Sequence, residues 1–226
     1  MIIILICFFI FLYLLYYFSR DDFVIVRKDI SMERIFNLAF LTAIVSLFFS
    51  RLSFVLESLD PRLLNPLEFL AVPYFPGLSL IGGMLGAAIF IFLYGSFRKL
   101  PVGKMLDLFT LSFMGVLPLG LIGNFIVHLG KVSLFSNLIF IFSIFVLLLF
   151  AKIIYPFSGR GEIKDGTLGL IFGAIFSFLY FMIRLFLNLK DFSFLSLENI
   201  LILVVLFSSL ILLVNQEIMD KFLAKK

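Results

Sequence analysis

Long apolar runs alternate with short polar segments along the whole chain of 226 residues. An α-helix needs about 20 apolar residues to cross the hydrocarbon core of a bilayer, and seven runs come close to that length. They lie at residues 2–18, 35–50, 74–97, 105–128, 134–155, 167–187 and 198–214. The pattern predicts an all-α, polytopic membrane protein with about seven transmembrane helices, forming a single membrane domain over residues 1–226.

The composition agrees with this fold class and excludes several functions. Hydrophobic residues make up 63% of the chain and the mean hydropathy is +1.22, well above the values of soluble globular domains. The single Cys7 excludes an intrachain disulfide. With one His and few clustered carboxylates, we expect no metal site and no other cofactor. The net charge of +4 is spread over the loops, so we expect no nucleic-acid partner.

The basic residues predict how the chain is oriented in the membrane. Of the 18 Lys and Arg residues, 13 fall in alternate loops or in the C-terminal tail, and 5 fall on the opposite side. The side rich in Lys and Arg is the cytoplasmic side of a membrane protein. We therefore predict that the N-terminus lies outside and that the C-terminus is cytoplasmic. The residues on the sparse side are Arg51, Arg62, Lys131, Arg184 and Lys190.

Arg184 is the most informative of these residues, because it lies within an apolar run, near its outer end. A guanidinium at the centre of a membrane helix costs about 2.5–3.5 kcal/mol on insertion scales, so it is expected to be functional and paired with an anion. The predicted topology brings several other residues to the same depth, and together they predict a site for an anionic phospholipid head group. They are Arg51, Ser79, Gly82, Gly83, Gly123, Asn124 and His128.

Some of these residues also fit a purely structural interpretation. Gly82 and Gly83 leave the backbone open to a ligand, but they equally permit close packing of two helices. Asn124 and His128 are four residues apart and share one helix face. On that face, Asn124 also fits a hydrogen bond between helices, and His128 fits a side chain at the membrane interface.

The charged residues have alternatives as well. Arg51 and Arg184 are long enough to extend to the membrane surface while their stems stay among apolar groups. Asp107, near the inner end of the fourth run, is expected to cap its own helix or to pair with Lys104. Arg184 remains the main candidate for a phosphate contact, because several polar groups are predicted to meet at its depth.

Short motifs of the chain, in their order, resemble those of the prolipoprotein diacylglyceryl transferase family. The resemblance covers roughly residues 29–191 and rests on residues 49–56, 77–86, 106–108, 120–126 and 180–185. For example, Gly120-Leu121-Ile122-Gly123-Asn124 is similar to the family's G-R-I-G-N motif. The shared order of the motifs, together with seven spans in the family's orientation, is more specific than any one of them.

The resemblance implies a function. The family moves a diacylglyceryl group from phosphatidylglycerol to the thiol of a lipobox cysteine in the signal peptide of a preprolipoprotein, at the bacterial cytoplasmic (inner) membrane. Glycerol phosphate leaves, so the reaction needs a cation at the phosphate and a proton acceptor near the thiol. Arg184 is the candidate for the cation. His128, the only imidazole of the chain, is the candidate for the catalytic base.

The sequence departs from the family pattern at several polar positions. Ile81 stands where the family has the His of H-G-G, Leu121 where it has the Arg of G-R-I-G-N, and Asn188 where it has a Glu. Two hypotheses therefore stand side by side: a divergent transferase, and a catalytically degenerate homologue that binds lipid or a membrane partner. A small transporter fits less well, because it would need polar groups at the membrane midplane.

Overall fold

The computed structural model describes residues 2–60, 65–70, 77–127, 134–150, 164–187 and 196–219. These residues form helices and connecting turns, with no strand among them. Seven helices correspond to the predicted spans: α1 (Ile2–Arg20), α3 (Met32–Ser58), α5 (Leu80–Phe97), α6 (Val102–Val127), α7 (Leu134–Leu149), α8 (Thr167–Leu187) and α9 (Leu197–Leu213). Two short helices, α2 (Phe23–Arg27) and α4 (Pro66–Leu70), lie in connections, and a π-helical segment, Val214–Met219, extends α9.

The structure confirms the predicted fold class. Six of the seven helices are long and apolar enough to cross a membrane, and α7, with 16 residues, is a shorter apolar helix. Many large apolar side chains remain exposed on the outside of the bundle, among them Phe9, Ile44, Phe92 and Phe186. Such a surface is stable in lipid and a liability in water. The orientation of the bundle across the membrane stays a prediction.

Close helix pairs organise the bundle. α3 packs most extensively against α5, α8 against α9, and α1 against α6. One apolar core lies among α5 to α9, and a second lies where α1, α2, α3, α5 and α6 meet. The first core runs along the whole of α8, from Leu168 to Ile183, so polar groups at both ends of this helix lie close to packed apolar side chains.

Helix α3 is longer than its apolar run predicts. The run ends at residue 50, whereas the helix has 27 residues and continues to Ser58. Arg51 interrupts the apolar pattern, but in the structure its side chain is buried and bound by backbone carbonyls. The helix therefore continues past the arginine, and its last two turns lie beyond the predicted end of the span.

Asp107 joins α6 to α8 at the end of the bundle opposite Arg184. Its two carboxylate oxygens accept hydrogen bonds from Gly166 N at 2.7 Å and from Gly169 N at 2.9 Å. A carboxylate in this place satisfies free N–H groups and is favoured by the helix dipole. The expectation that Asp107 caps its own helix is wrong, because the fold brings the start of α8 to it. Lys104 interacts electrostatically with Asp107, as expected, while its close ion pair is with Asp22, at 2.7 Å.

Candidate functional site

Arg184 lies near the end of α8 and is paired with two carboxylates of the protein. Its Nη2 atom donates to Glu57 Oε1 at 3.0 Å, and its Nη1 atom contacts Glu198 Oε2. Glu57 lies in the last turn of α3 and Glu198 in the first turn of α9. The structure therefore supplies, from two other helices, the anionic partner that a membrane-embedded arginine requires.

Tyr180 adds a fourth side chain from one turn earlier on α8. Its hydroxyl donates to Glu198 Oε1 at 2.8 Å. Both oxygens of Glu198 are thus held, one by Tyr180 and one by Arg184, whereas Glu57 contacts Arg184 through one oxygen. We refer to these four residues as the Arg184 cluster.

The small and polar residues of α8 lie on one face of the helix. Gly173, Ser177, Tyr180 and Arg184 follow one another at intervals of three or four residues, the spacing that puts side chains on one side of a helix. This face packs against α9, since a Cβ atom on Gly173 would lie 2.7 Å from Ser209 Oγ. The polar stripe therefore runs between two helices and ends in the Arg184 cluster.

The Arg184 cluster contains one cationic and two acidic side chains, largely enclosed by the helices. The exposed fraction of the side chain is 18% for Arg184, 15% for Glu198 and 29% for Glu57. Removing one partner of a buried ion pair typically costs about 3–5 kcal/mol, because a charge is left uncompensated. The cost here is smaller, because water reaches part of each side chain. The cluster therefore links α3, α8 and α9 at one end of the bundle.

Arg51, another predicted head-group ligand, is 2% exposed and binds backbone carbonyls. Its Nε atom donates to Phe69 O at 3.1 Å, Nη1 to Gly77 O at 2.9 Å, and Nη2 to Glu68 O at 3.3 Å. Two of these carbonyls lie at the end of α4, where a cation satisfies free carbonyl groups. Arg51 therefore anchors the connection between α3 and α5. A direct contact between Arg51 and lipid stays a prediction.

Ser79, Gly82 and Gly83 lie where α5 begins and packs on α3. The Ser79 hydroxyl accepts a hydrogen bond from Gly82 N at 3.2 Å and caps α5. A Cβ atom on Gly82 would lie 2.2 Å from Ser53 Oγ, and one on Gly83 would lie 3.2 Å from Ser46 Oγ. The missing side chains make room for α3, as the packing interpretation expects. Binding of a head group by these residues stays a prediction.

The remaining predicted site residues lie on α6 or beyond it. Gly123 faces α1, where a Cβ atom would lie 2.3 Å from Ile3 Cγ2. Asn124 is in the last turn of α6, but its side chain lies outside the described residues, as does the whole of His128. Within the described part of the chain, Arg184 forms hydrogen bonds with none of the other predicted ligands. The predicted ligands are thus divided among three helix contacts.

Glu57, Glu198 and Tyr180 are absent from the sequence-based prediction, although the sequence holds a signal for them. Glu57 follows the second apolar run and Glu198 opens the seventh, so the predicted topology puts both at the outer end, with Arg184. Tyr180 lies one helical turn before Arg184. A search for acids at the depth of the membrane-embedded arginine identifies both carboxylates.

A shallow apolar pocket lies beside the Arg184 cluster, between α7 and α8, and its free volume is only about 10 Å³, the space of roughly one water molecule. Ile139 and Phe142 of α7 and Ile183 of α8 line it together with the ring of Tyr180. Because the Tyr180 hydroxyl binds Glu198, this one residue connects the pocket with the charged groups. Small-molecule sites are typically about 300–1,000 Å³, so this pocket is a feature of the packing of α7 on α8 and not a ligand cavity.

Comparison with known proteins gives one match. The model of a protein family described as prolipoprotein diacylglyceryl transferase matches residues 1–215 of the chain. No curated protein and no solved structure matches it. The matched range extends beyond residues 29–191 at both ends and contains all four members of the Arg184 cluster.

Proposed function

The chain belongs to the prolipoprotein diacylglyceryl transferase family, and on that premise we propose that it is a divergent phosphatidylglycerol–prolipoprotein diacylglyceryl transferase. Membership implies a membrane-embedded, transferase-like protein of lipoprotein biosynthesis with lipid and lipoprotein substrates. The proposal adds phosphatidylglycerol as donor, a lipobox cysteine of a preprolipoprotein signal peptide as acceptor, and the bacterial inner membrane as location. The Arg184 cluster is the observation that supports it most directly.

The proposed reaction needs a cation where the phosphate departs. The cysteine sulfur forms a bond with the glyceryl carbon, and the bond between that carbon and the phosphate oxygen breaks. Glycerol phosphate leaves with the electron pair, and the thiol gives up its proton. Arg184 is suited to the phosphate, because the planar guanidinium presents two parallel N–H donors to two oxygens. In the structure its guanidinium is paired with carboxylates from two helices, the kind of charge-assisted contact that a phosphate would make in their place.

The surroundings of Arg184 support a lipid donor. The outer surface of α8 on either side of Arg184 in the sequence is apolar, with Phe178 and Phe186 exposed, so acyl chains of a lipid can lie against it. A head group at Arg184 would then lie near the end of the bundle, where lipid head groups are expected. The further head-group ligands in this proposal are Asn124, Arg51, Ser79, Gly82, Gly83 and Gly123.

The reaction also needs a proton acceptor for the thiol, and two kinds of side chain are candidates. His128 is the candidate from the sequence, one turn beyond Asn124. The carboxylates of the Arg184 cluster are the candidates from the structure. If His128 is the base, His128→Gln should lower turnover by roughly 10²–10⁴, the usual effect of losing a positioned base.

A specific observation favours the second hypothesis, a catalytically degenerate lipid-binding homologue. Arg184 is already paired with two carboxylates, and Ile81 and Leu121 replace the polar residues of the family motifs. In this alternative, the Arg184 cluster stabilises the bundle and performs no chemistry. Binding of lipid or of a membrane partner would then be the whole function.

Complementation of a bacterial strain depleted of its own transferase tests the proposal. Lipidation of a reporter lipoprotein is scored by its shift in gel mobility, and the membrane abundance of each variant is measured. The wild-type chain should restore lipidation, and Arg184→Gln should lower it by roughly 10²–10³, as for loss of one transition-state donor. Failure of an abundant wild-type protein would support the degenerate homologue.

Lys104→Gln is the matched control for Arg184→Gln. Lys104 is also a largely enclosed cation, with 15% of its side chain exposed, in an ion pair with Asp22 at 2.7 Å. It lies at the opposite end of the bundle. Lys104→Gln should therefore lower the stability of the bundle but leave lipidation per molecule unchanged. An equal loss of lipidation in both variants would indicate general destabilisation and no site at Arg184.

A further inference from the structure

Both terminal nitrogens of Arg184 are occupied by carboxylates in the structure. Nη1 contacts Glu198 and Nη2 contacts Glu57. The guanidinium has five N–H donors, so these two contacts do not use all of them, but the charge of Arg184 is already balanced by two carboxylates. A lipid phosphate would bring a third negative charge to one cation, so it competes with the two carboxylates for Arg184.

Glu57 is the carboxylate that is easier to displace. Glu198 is held through both oxygens, by Tyr180 and Arg184, and it lies in the first turn of α9, where the helix dipole favours a negative charge. Among the described contacts, Glu57 is held through one oxygen. It is the more exposed of the two carboxylates and lies in the last turn of α3, where the dipole disfavours a negative charge.

We propose that Glu57 is an internal counter-ion that the donor phosphate displaces from Arg184, and that the displaced carboxylate then accepts the thiol proton. This inference rests on the proposed function. While no donor is bound, Glu57 neutralises Arg184 and keeps the guanidinium in place. When the phosphate takes its position, Glu57 loses its cationic partner, and its carboxylate oxygen becomes available as an acceptor for the thiol proton.

The step balances without another reactant. The thiol proton passes to Glu57, the sulfur forms its bond with the glyceryl carbon, and the carbon–oxygen bond to the phosphate breaks. The electron pair of that bond leaves on glycerol phosphate, whose charge Arg184 holds. Departure of glycerol phosphate frees Arg184, and Glu57 releases its proton and returns to the guanidinium. Donor binding and activation of the thiol are thereby coupled through one side chain.

Lipid titration of purified wild-type protein and Glu57→Gln tests the displacement. Phosphatidylglycerol is titrated in native mass spectrometry, and diacylglycerol, which has the same chains without a phosphate, serves as the control ligand. The amide keeps the size of Glu57 and removes the competing charge. Glu57→Gln should bind phosphatidylglycerol about tenfold more tightly, equivalent to roughly 1.4 kcal/mol, with unchanged affinity for diacylglycerol. Its turnover should fall by roughly 10²–10⁴.

Glu33→Gln is the matched control protein, because it removes the same charge from the exposed first turn of the same helix, α3. It should change neither lipid affinity nor turnover. Absence of Arg184-dependent phosphatidylglycerol binding and of turnover in the wild type would refute the proposed function itself.

The displacement proposal can fail while the proposed function stands. It fails if the wild type binds phosphatidylglycerol and shows turnover, but Glu57→Gln binds this lipid no more tightly than the wild type does. It also fails if Glu198→Gln is the variant that tightens binding. The first result would make Glu57 a structural counter-ion only. The second would make Glu198 the displaced anion. If Glu57→Gln binds more tightly but keeps its turnover, Glu57 is not the proton acceptor, and the second half of the proposal is refuted.

Discussion

Replacement of Gly82 by Ala tests whether the glycines at the start of α5 serve packing. The added Cβ atom would lie 2.2 Å from Ser53 Oγ, 2.6 Å from Ser53 Cβ and 3.0 Å from Phe49 O, against 3.4–4 Å for an ordinary contact. Rotation of the serine hydroxyl relieves only the first clash, because its Cβ and the Phe49 carbonyl are fixed to the backbone of α3. The two helices must therefore separate.

The cost of this separation exceeds the gain from the better helix former. Overpacking costs about 1–3 kcal/mol. Separation also weakens three hydrogen bonds across the same interface, made by Ser46, Ser50 and Ser79 at 2.8–3.0 Å, each worth about 0.6 kcal/mol in a membrane protein. The higher helix propensity of alanine stabilises α5 by at most about 1 kcal/mol. We expect a net loss of about 2–4 kcal/mol in the free energy of unfolding.

Unfolding of purified protein in mixed micelles by a denaturing detergent measures this loss. Gly120→Ala is the control, because among the described residues its added Cβ atom would meet only Cys7 Sγ, at the ordinary contact distance of 3.8 Å. The control should be as stable as the wild type or up to about 1 kcal/mol more stable. If Gly82→Ala is also as stable as the wild type, the packing argument is refuted. Loss of lipid binding at unchanged stability would assign Gly82 to the ligand instead.

The remaining predictions concern orientation and two buried charges. Reporter fusions at Lys99 and Gly159 should score cytoplasmic and one at Pro61 external, and a cytoplasmic signal at Pro61 would reverse the predicted orientation. Asp107→Asn should lower the free energy of unfolding by about 1–3 kcal/mol, because a neutral amide replaces a charged acceptor for two N–H groups at the start of α8; an unchanged unfolding curve would contradict this. Arg51→Lys should increase protease cleavage between α3 and α5, because an ammonium cannot reproduce the planar contacts with three carbonyls; wild-type cleavage would exclude the anchoring function.

The sequence by itself determines the helical class, the approximate bounds of most helices and the end of the bundle at which Arg184 lies. Hydropathy and length suffice for this, because bilayer thickness sets how long an apolar helix must be, whatever it packs against. The family match agrees with the resemblance found in the short motifs. Hydropathy does not predict where helix α3 ends. Arg51 ends the apolar run, yet carbonyls 17 to 26 residues away satisfy its guanidinium within the continuing helix.

Only the tertiary structure decides which polar groups meet. Glu57 is 127 residues from Arg184, and Gly166 is 59 residues from Asp107, so no local pattern specifies either pair. The rotation of α8 about its axis determines whether Arg184 faces lipid or carboxylates, and packing against α9 fixes that rotation. The hydrocarbon core of a bilayer offers a charged side chain no alternative partner. The favoured arrangement of helices is therefore the one that brings counter-ions from α3 and α9 within reach of Arg184.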